Sequence, residues 1–550
     1  MRPLLERLGG FLPAAIALAL PTVFIPIAVD SYILPRAAIV IAGAGLGCGL
    51  ALLVSAGPGL GRLRLPLTAA AAAAALAFAF SISWPLSLEG SYTRYESLPI
   101  RLAYLGLLAV PVWLLRERSS RERVITAFII GTSLASVQAL GQEMLLLNHA
   151  IDYRPDGNLG NANLLGALLA MAIPLAFARG LRARGFGVLW WLALALMSGA
   201  LLASTSRSGG LGALAGCLGV IVFTLRGRRA LIGSALAAAI VGAGLALIVF
   251  SPLRLLNDDP GPARLHLWPD AIRMIAARPG TGWGEDATGL VYGRFLSGDW
   301  SPEVDRAHSG PLDVAATQGI LGLGALAWVL VALFRGLWRW RFVEAAGPLA
   351  AACIGYSVWV LFNFDWAPAT GAFWLLAGTA WSAVRAAETE TDAPAGFGSR
   401  SARWGSTAAF RSVDGARWAP TVRFIGSIGA VALAIAVMWL AVMPVLADIW
   451  YYQSRSDLSV VVDPLQGRYH WVLGEGLVAI GSTSRGLDQM KLAGRLGESD
   501  PQLFVDIGDA EQQLGRSAEA RAAYRMALVI DPFYRPAKDR LAGKGVPPSG

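Results

Sequence analysis

The sequence predicts an all-α, polytopic membrane helical bundle of about 12–13 transmembrane helices, followed by a C-terminal soluble helical domain. Three observations lead to this prediction. Only 15% of the 550 residues are charged and 55% are apolar, whereas a soluble domain of this size covers its surface with charge. Apolar stretches of nearly 20 residues recur throughout residues 1–386. The segment after residue 447 instead has the mixed polar and apolar pattern of soluble helices.

The apolar stretches define the expected spans of the bundle. The first follows Arg2 and Arg7 and continues into further spans without a small-residue cleavage site, so it is interpreted as a retained helix. The expected spans cover residues 11–29, 36–56, 65–84, 100–115, 124–146, 161–178, 187–204, 209–225, 230–250, 312–334, 344–363, 370–386 and 424–447.

Short arginine clusters occupy every second connection between these spans. Because positively charged loops stay in the cytoplasm, these connections and the N-terminus are expected on the cytoplasmic side of the membrane. The formal charge of +9 therefore reflects topology, and no nucleic-acid partner is expected. The clusters contain Arg62, Arg64, Arg116, Arg118, Arg121, Arg123, Arg179, Arg182, Arg184, Arg226, Arg228, Arg229, Arg335, Arg339 and Arg341.

The same topology divides the chain into four parts. Residues 1–386 are the predicted transmembrane domain, with a long outer loop at 251–311 of the kind that usually carries function. Residues 387–422 are a polar cytoplasmic linker, and 423–447 are the last transmembrane helix. Residues 448–550 are expected outside the cytoplasm.

This extracytoplasmic part has the residue spacing of a tetratricopeptide helix pair. Such repeats bind peptides or protein surfaces, and a generic helical hairpin is the alternative. The residues at the repeat positions are Phe504, Gly508, Gly515, Ala520, Tyr524, Ala527 and Pro532.

Polar residues at the outer ends of the spans are the candidates for chemistry, because charge at a membrane edge is costly. Arg207 lies within Ser204–Gly210, between two spans, where small residues allow close helix packing. A membrane anchor or a helix cap is the alternative role for Arg207. Asn161 and Asn163 either cap the sixth span or contact a sugar, and Arg154 precedes them.

The long outer loop carries Arg254 and then Arg264, which precedes a helix expected to begin at Pro269. A guanidinium is a preferred partner of phosphate because it offers a planar fork of donors. The expected apolar face of this helix consists of Ala271, Ile272 and Ile275.

Two other motifs of the loop are interpreted without chemistry. Pro279–Gly284 is only superficially similar to a dinucleotide fingerprint, since no strand precedes it and no helical pattern follows, so a turn is predicted. Asp258 and Asp259 are interpreted as a solvated acidic pair, with a metal site as the alternative.

Asp305 and His308 lie at the end of the loop, directly before the tenth span. A histidine titrates near neutral pH and can accept the proton of an attacking hydroxyl. A polar interfacial histidine without a chemical role is the alternative.

Together these segments resemble the O-antigen ligase and polymerase superfamily, which includes bacterial O-linked oligosaccharyltransferases. The resemblance covers most of residues 150–365 and depends on the order and spacing of its motifs. These are Gly-x-x-Gly-Asn-x-Asn at 157–163, Ser-Arg-Ser-Gly-Gly at 206–210, Arg264 with Trp268, Pro-x-Thr-Gly-x-Gly at 279–284, and His308 followed by Gln-Gly-Ile-Leu-Gly at 318–322.

The resemblance implies a glycosyltransferase that moves a glycan from an undecaprenyl-pyrophosphate carrier to an acceptor hydroxyl, with inversion of the anomeric carbon. His308, Arg207 and Arg264 are the implied catalytic residues. No cofactor and no metal are expected, because guanidinium groups carry the charge of the leaving group. The implied pyrophosphate-binding residues are Arg207, Arg264, Arg154 and Arg254. The candidates for contacting or orienting the acceptor are Asp305, Asn161 and Asn163.

The acceptor and the overall reaction stay open at the level of sequence. A lipid A core or a surface protein is the expected acceptor, with the tail as a candidate binding element for it. A polymerase that uses the same site is one alternative. A polytopic transporter or flippase is an alternative of another class, although the sequence has no convincing internal duplication.

Overall fold

The fold is seen in a computed structural model that describes residues 2–54, 59–146, 154–183, 187–236, 238–239, 261–299, 305–343, 345–391 and 420–544. Within these ranges the chain forms helices and turns and contains no strand, which confirms the all-α fold class. In chain order the helices are α1 (Arg2–Thr22), α2 (Ile33–Val54), α3 (Arg64–Ala79), α4 (Trp84–Glu89), α5 (Leu98–Leu114), α6 (Arg118–Leu146), α7 (Ala162–Arg182), α8 (Val188–Ala203), α9 (Arg207–Thr224), α10 (Gly261–Ala277), α11 (Gly310–Arg339), α12 (Ala346–Trp359), α13 (Ala367–Thr391), α14 (Pro420–Tyr452), α15 (Ser456–Val462), α16 (Gly467–Ala479), α17 (Thr483–Leu496), α18 (Pro501–Gln513), α19 (Ser517–Ile530) and α20 (Arg535–Leu541).

The helices have the lengths and composition of a polytopic membrane protein. Among the described residues, seven helical stretches are long and apolar enough to cross a membrane, and four shorter apolar helices accompany them. The expected span at 230–250 lies mostly outside the described residues, although residues 228–236 and 238–239 are helical.

The first helix departs most from its expected span. It runs over Arg2–Thr22, whereas residues 11–29 were expected, and residues 23–32 form turns. Pro26 explains the early end, because a proline disfavours helical backbone at the residue before it and offers no N–H to the preceding turn. The apolar side chains of 23–29 therefore continue the hydropathy pattern without continuing the helix.

Two helices form the centre of the bundle. Residues 367–384 of α13 are buried throughout, and α7 is buried along almost its whole length. Large apolar side chains on the surrounding helices point outward instead, among them Leu52, Leu134 and Leu202 with 68%, 55% and 79% exposure. Such an apolar exterior is expected where lipid covers the surface.

Helix α9 approaches α7 and α12 closely through small residues. A Cβ at Gly209 would lie 2.7 Å from the Cα of Gly166 on α7, so only glycine fits at this contact. Farther along α9, Gly219 packs against Ala351 of α12, and a Cβ at Gly219 would lie 3.2 Å from the Ala351 side chain. This packing fixes the height and rotation of α9, whose first residue is Arg207.

The connections of the bundle gather at its two opposite ends. Helix α6 links these ends, since its 29 residues span about 43 Å at 1.5 Å per residue. At its start Glu122 pairs with Arg179 of α7, and near its finish the Gln142 amide donates to the Gly157 carbonyl (2.7 Å). We name the first the arginine end, formed by residues 59–63, 115–118, 182–183, 225–229, 340–343 and 345. The second is the site end, formed by residues 80–97, 154–161, 204–206, 278–299, 305–309 and 360–366.

The C-terminal tail consists of antiparallel helical hairpins, α16 with α17 and α18 with α19, followed by α20. It packs directly on the site end. The Gln466 amide donates to the Gly90 carbonyl (3.3 Å), and Gly293 lies so close to the Ile530 carbonyl that a Cβ would overlap it. The tetratricopeptide identity of these hairpins stays a prediction, as do the domain boundaries. Most of the expected linker at 387–422 lies outside the described residues, between the last residues of α13 and the first of α14.

Candidate active site

Hydrogen bonds between loops hold the site end together. The Ser87 hydroxyl donates to the Glu285 carbonyl (2.7 Å), which joins residues 80–97 to the loop after α10. The Trp268 indole donates to the Ala307 carbonyl (3.1 Å), which joins α10 to the segment before α11. Residues 80–97 and both parts of the outer loop therefore meet in one region.

Arg207 is the first residue of α9, and its side chain is exposed at the site end. The turn before it holds Thr205 at a φ of 50°, a value that is unfavourable for a β-branched residue. The Ser206 hydroxyl then caps α9 by accepting a hydrogen bond from the Gly209 N–H (3.3 Å). Because the start of α9 is capped and tightly packed, the backbone position from which the Arg207 side chain extends is fixed.

Arg154 and Asn163 brace the turn that precedes Arg207. The Arg154 Nη2 atom donates to Asn163 Oδ1 (3.1 Å), and Arg154 Nε donates to the Ser204 carbonyl (3.1 Å). The Ser206 hydroxyl also donates to Asn163 Oδ1 (3.1 Å). The Gly-Asn-x-Asn and Ser-Arg-Ser-Gly-Gly motifs are thus in direct contact, and Arg154 is positioned to support Arg207.

Asn161 occupies the capping position of α7. Its side chain accepts hydrogen bonds from the N–H groups of Asn163 (2.8 Å) and Leu164 (3.3 Å). This is the capping alternative, so the structure gives Asn161 a helix-starting role. Arg254, Asp258 and Asp259 lie outside the described residues.

Arg264 lies in the first turns of α10, which begins at Gly261 and not at the expected Pro269. The expected apolar face is only partly right. Ala271 is fully buried and Ile275 half-buried, but Ile272 is 56% exposed, because the buried face runs through Leu267, Ala271 and Met274 at helical spacing. Since α10 starts earlier than expected, Arg264 stands one helical turn before Trp268, whose indole contacts the residue before His308.

His308 lies close enough to Arg264 to be affected by its charge, and its backbone is strained, with a φ of 51°. Its ring packs against Phe364, with centroids 5.3 Å apart. Burial and the positive charges of Arg264, Arg94 and Arg306 lower the pKa of His308 to about 4, although Asp305 acts in the opposite direction. The imidazole is therefore neutral at pH 7 and able to accept a proton.

Arg94 is a guanidinium at this site that the sequence did not single out. It donates to Asp305 Oδ2 (3.0 Å) and lies over the rings of Phe364 and Trp366, at 4.5 Å and 5.0 Å from their centroids. Its side chain keeps 21% exposure. Asp305 is thus held by Arg94, and the pair forms one wall of the region around His308.

The two residues before His308 are anchored beneath it. Arg306 is buried and pairs with the Asp286 carboxylate, and the Ala307 N–H donates to Asp313 Oδ1 (2.8 Å). The Asp305 carbonyl accepts a hydrogen bond from the Thr288 hydroxyl (2.9 Å). These contacts determine the backbone on the N-terminal side of His308 and maintain its unusual conformation.

Below this layer, Arg101 of α5 is surrounded by three carboxylates from three segments. Its Nη1 lies 2.6 Å from Asp365, its Nε 3.1 Å from Glu285 and its Nη2 3.7 Å from Glu96. The Gln318 amide donates to the other oxygen of Glu285 (2.6 Å). We name Arg101, Glu96, Glu285 and Asp365 the buried charge cluster; burial raises the pKa of Glu96 to about 7, against the opposing effect of Arg101.

The predicted turn at Pro279–Gly284 is inserted into a break in α11. Gly319 has a φ of 67°, which interrupts the helix, and its neighbour Ile320 donates its N–H to the Pro279 carbonyl (2.8 Å). The N–H groups of Trp283 and Gly284 donate to the carbonyls of Ala316 (2.9 Å) and Thr317 (3.0 Å). The motifs at 279–284 and 318–322 are therefore in direct contact through their backbones. Glycine is required at position 319 because its φ is positive.

Backbone strain is concentrated in this region. Of the six non-glycine residues with positive φ in the described part of the chain, five lie at the site end. They are Thr93, Tyr95, Thr205, Asp286 and His308. Each costs about 1–3 kcal/mol, and such residues persist where surrounding contacts determine the backbone, typically at functional sites.

Several site residues escaped the sequence analysis because their segments have no recognisable spacing. Arg94, Glu96 and Arg101 come from residues 89–101, and Asn363 and Asp365 from the short connection before α13. The available signal was charge at the outer ends of expected spans, the same argument that selected Arg207. Asn363 donates to the Ser208 hydroxyl (3.0 Å) and so ties this connection to the start of α9.

Within the described residues, no group of three or more histidine, cysteine, aspartate or glutamate residues is arranged to hold a metal ion. Metal independence stays a prediction about the reaction.

Comparison with known proteins bears on the segment that carries this site. Residues 192–327 match the family model described as O-Antigen ligase. The resemblance to the O-antigen ligase and polymerase superfamily is confirmed. The matched segment includes Arg207, Arg264 and His308.

Sequence similarity to a curated O-antigen ligase agrees with the family match over part of the chain. The O-antigen ligase of Pseudomonas aeruginosa is 29% identical over 175 residues, which are 31% of this chain and 39% of the relative. The chain therefore spans about two fifths of the length of this curated relative.

The buried charge cluster makes a prediction about the stability of the protein. Replacing Arg101 with methionine leaves three carboxylates without their shared cation, which should lower the free energy of unfolding by about 3–5 kcal/mol. Thermal unfolding of purified protein in detergent measures this loss. Arg335→Met is the control, since Arg335 is exposed on α11 and its removal should change stability by less than about 0.5 kcal/mol. Equal unfolding midpoints for the two variants would contradict the assigned role of Arg101.

Proposed function

We propose that the chain is a membrane glycosyltransferase that moves a glycan from undecaprenyl pyrophosphate to an acceptor hydroxyl. One observation carries the proposal: a neutral, partly buried His308 lies among guanidinium groups, within a segment that matches the O-antigen ligase family. A base next to a site for a pyrophosphate leaving group suits displacement at an anomeric carbon.

The proposed reaction uses a donor that arrives already activated. The acceptor oxygen forms a bond to the anomeric carbon, while the bond from that carbon to the pyrophosphate oxygen breaks. The acceptor proton passes to His308 and then to solvent, and undecaprenyl pyrophosphate leaves as the anion. Attack from the face opposite the leaving group inverts the anomeric carbon.

Arg207 and Arg264 are proposed to stabilise the charge that develops on the leaving pyrophosphate. Arg207 extends from a capped helix start and is exposed, whereas Arg264 is half-buried beside His308. Arg154 is proposed to act mainly by bracing the Arg207 turn, because two of its contacts go to Ser204 and Asn163. With guanidinium groups as counter-charge, the reaction is proposed to be independent of metal.

The site end is proposed to face away from the cytoplasm, with the protein in the bacterial inner membrane. The arginine end collects the positively charged connections, which favours its placement in the cytoplasm. Lipid-linked donors on the outer leaflet then have direct access to the site. This orientation also places the tail outside the cytoplasm.

Transfer to a large acceptor, a lipid core or a surface protein, is proposed over polymerisation. The tail packs on the outer loops, with Gly293 against Ile530 and Gly289 beside Ser499. An acceptor held by the tail would therefore lie close to His308. A polymerase would use the same residues and differ in its acceptor, which is a second lipid-linked repeat unit.

Glycan transfer by purified protein tests the proposal. The assay combines a lipid-pyrophosphate-linked oligosaccharide with candidate acceptors in the presence of EDTA. We expect transfer by the unaltered chain, a loss of roughly 100- to 10,000-fold in His308→Ala and a loss of about 100- to 1,000-fold in Arg207→Ala.

The matched control is Arg294→Ala, because Arg294 is an exposed arginine of the same outer loop with no proposed role. Its activity should equal that of the unaltered chain. Unchanged transfer in both site variants would refute the site assignment. Movement of lipid between leaflets without any transfer would refute the enzyme and indicate a flippase, and a product ladder on lipid carriers would indicate a polymerase.

The lowered pKa of His308 predicts the pH dependence. Because the free protein binds this proton only near pH 4, and not near the ordinary value of 6.5, kcat/KM should stay nearly constant from pH 7 down to about 5 and fall below that. Stability should decrease as pH falls from 6.5 towards 4, since the unfolded chain takes up the proton first.

Initial rates across this range, with the folded fraction measured at each pH, separate loss of the base from unfolding. An acid limb centred on pH 6.5 in fully folded protein would contradict a buried, neutral His308.

A further inference from the structure

The arginine end, opposite the candidate active site, contains a cavity of about 830 Å³ between α1, α6 and α13. Five arginines line it, namely Arg7, Arg116, Arg118, Arg121 and Arg123. Glu6, Glu117 and Glu390 are the carboxylates of the lining. A lining with more guanidinium groups than carboxylates, in a space of this size, favours an anionic occupant.

The contacts of Arg123 show that it is held in place without an acidic partner among those described. Its Nη2 donates to the Ser120 hydroxyl (2.7 Å), its Nε donates to the Ser119 carbonyl (3.4 Å), and its guanidinium lies 4.1 Å from the centre of the Phe11 ring. All three groups are neutral. They orient the cation and leave its charge available to an anion in the cavity.

An apolar path leads from this cavity to the membrane-facing surface. Phe11 lines the cavity and is also 55% exposed on the outside of α1. Leu4 and Leu8, with 60% and 50% exposure, continue the same face of α1 at helical spacing. A charged cavity beside this exposed apolar face of α1 suits a molecule with an anionic head and acyl chains. A small soluble anion would not contact the apolar face.

We propose that this cavity binds the phosphate headgroup of an anionic phospholipid, whose acyl chains lie along the outer face of α1. Arg116 and Arg123 contact the phosphate, and Phe11 separates the headgroup region from the chains. The bound lipid stabilises the contact of α1 with α6 at the end of the bundle that lacks catalytic residues. This site is independent of the proposed transfer reaction.

Lipid binding to the detergent-solubilised full chain tests the proposal. Native mass spectrometry measures the fraction that retains phosphatidylglycerol, in parallel with phosphatidylcholine, whose headgroup has no net charge, and with inorganic phosphate as a competitor. We expect retention of phosphatidylglycerol and not of phosphatidylcholine. In the double variant Arg116→Gln, Arg123→Gln the affinity for phosphatidylglycerol should fall roughly tenfold or more.

Two controls separate the site from general charge and from misfolding. Arg226→Gln removes an exposed arginine of the same end that also lies over a phenylalanine, Phe342 at 4.6 Å, outside the cavity, and it should bind lipid normally. The charge-preserving double variant Arg116→Lys, Arg123→Lys should retain most of the binding and show that the fold tolerates changes there.

Three results would overturn the proposal. Equal retention of phosphatidylcholine would remove the role of the headgroup charge. Normal binding in the glutamine double variant would place the lipid elsewhere. Displacement of phosphatidylglycerol by equimolar inorganic phosphate would make the ligand a soluble anion.

Discussion

The position of the loops at the site end depends on the buried cation of Arg101. Arg101 lies near the start of a helix of the bundle, and its guanidinium is shared by Glu96, Glu285 and Asp365, which come from three connections far apart in sequence. A buried cation without partners is costly, and so is each buried carboxylate without the cation. The four groups are therefore stable only together, which forces the three connections to meet at one place above the bundle.

The layer above the buried charge cluster carries the candidate chemistry. Glu285 belongs to the cluster, and the adjacent Asp286 pairs with Arg306, two residues before His308. On the other side, Asp305 is held by Arg94, whose guanidinium also contacts Phe364 beside the histidine ring. The environment that keeps His308 neutral is thus produced by the same contacts that fix the loops, so stability and reactivity have a common origin.

Sequence predicted the features that depend on local pattern. Hydropathy located the described spans because burial in lipid requires long apolar stretches, and it failed at residues 23–29, where Pro26 ends the helix although apolar residues continue. The motif segments around Arg207, Arg264 and His308 were found. Contacts of Trp268 with Ala307, of His308 with Phe364 and of Asn363 with Ser208 connect these segments. Arg94 and Arg101 were missed because their partners lie 211 and 184 residues away, a pairing that spacing does not reveal. The break at Gly319 was missed because its cause, the turn at Pro279–Gly284, lies in another segment.

The central claim is that Arg207, Arg264 and His308 surround the bond that is broken. The most direct measurement is an electron cryomicroscopy structure of the protein with a non-hydrolysable lipid-pyrophosphate donor bound in nanodiscs. The account predicts pyrophosphate density within hydrogen-bonding distance of both arginines, with the anomeric carbon facing His308. Pyrophosphate density at the arginine end, or at the site end but out of reach of Arg207 and Arg264, would contradict it.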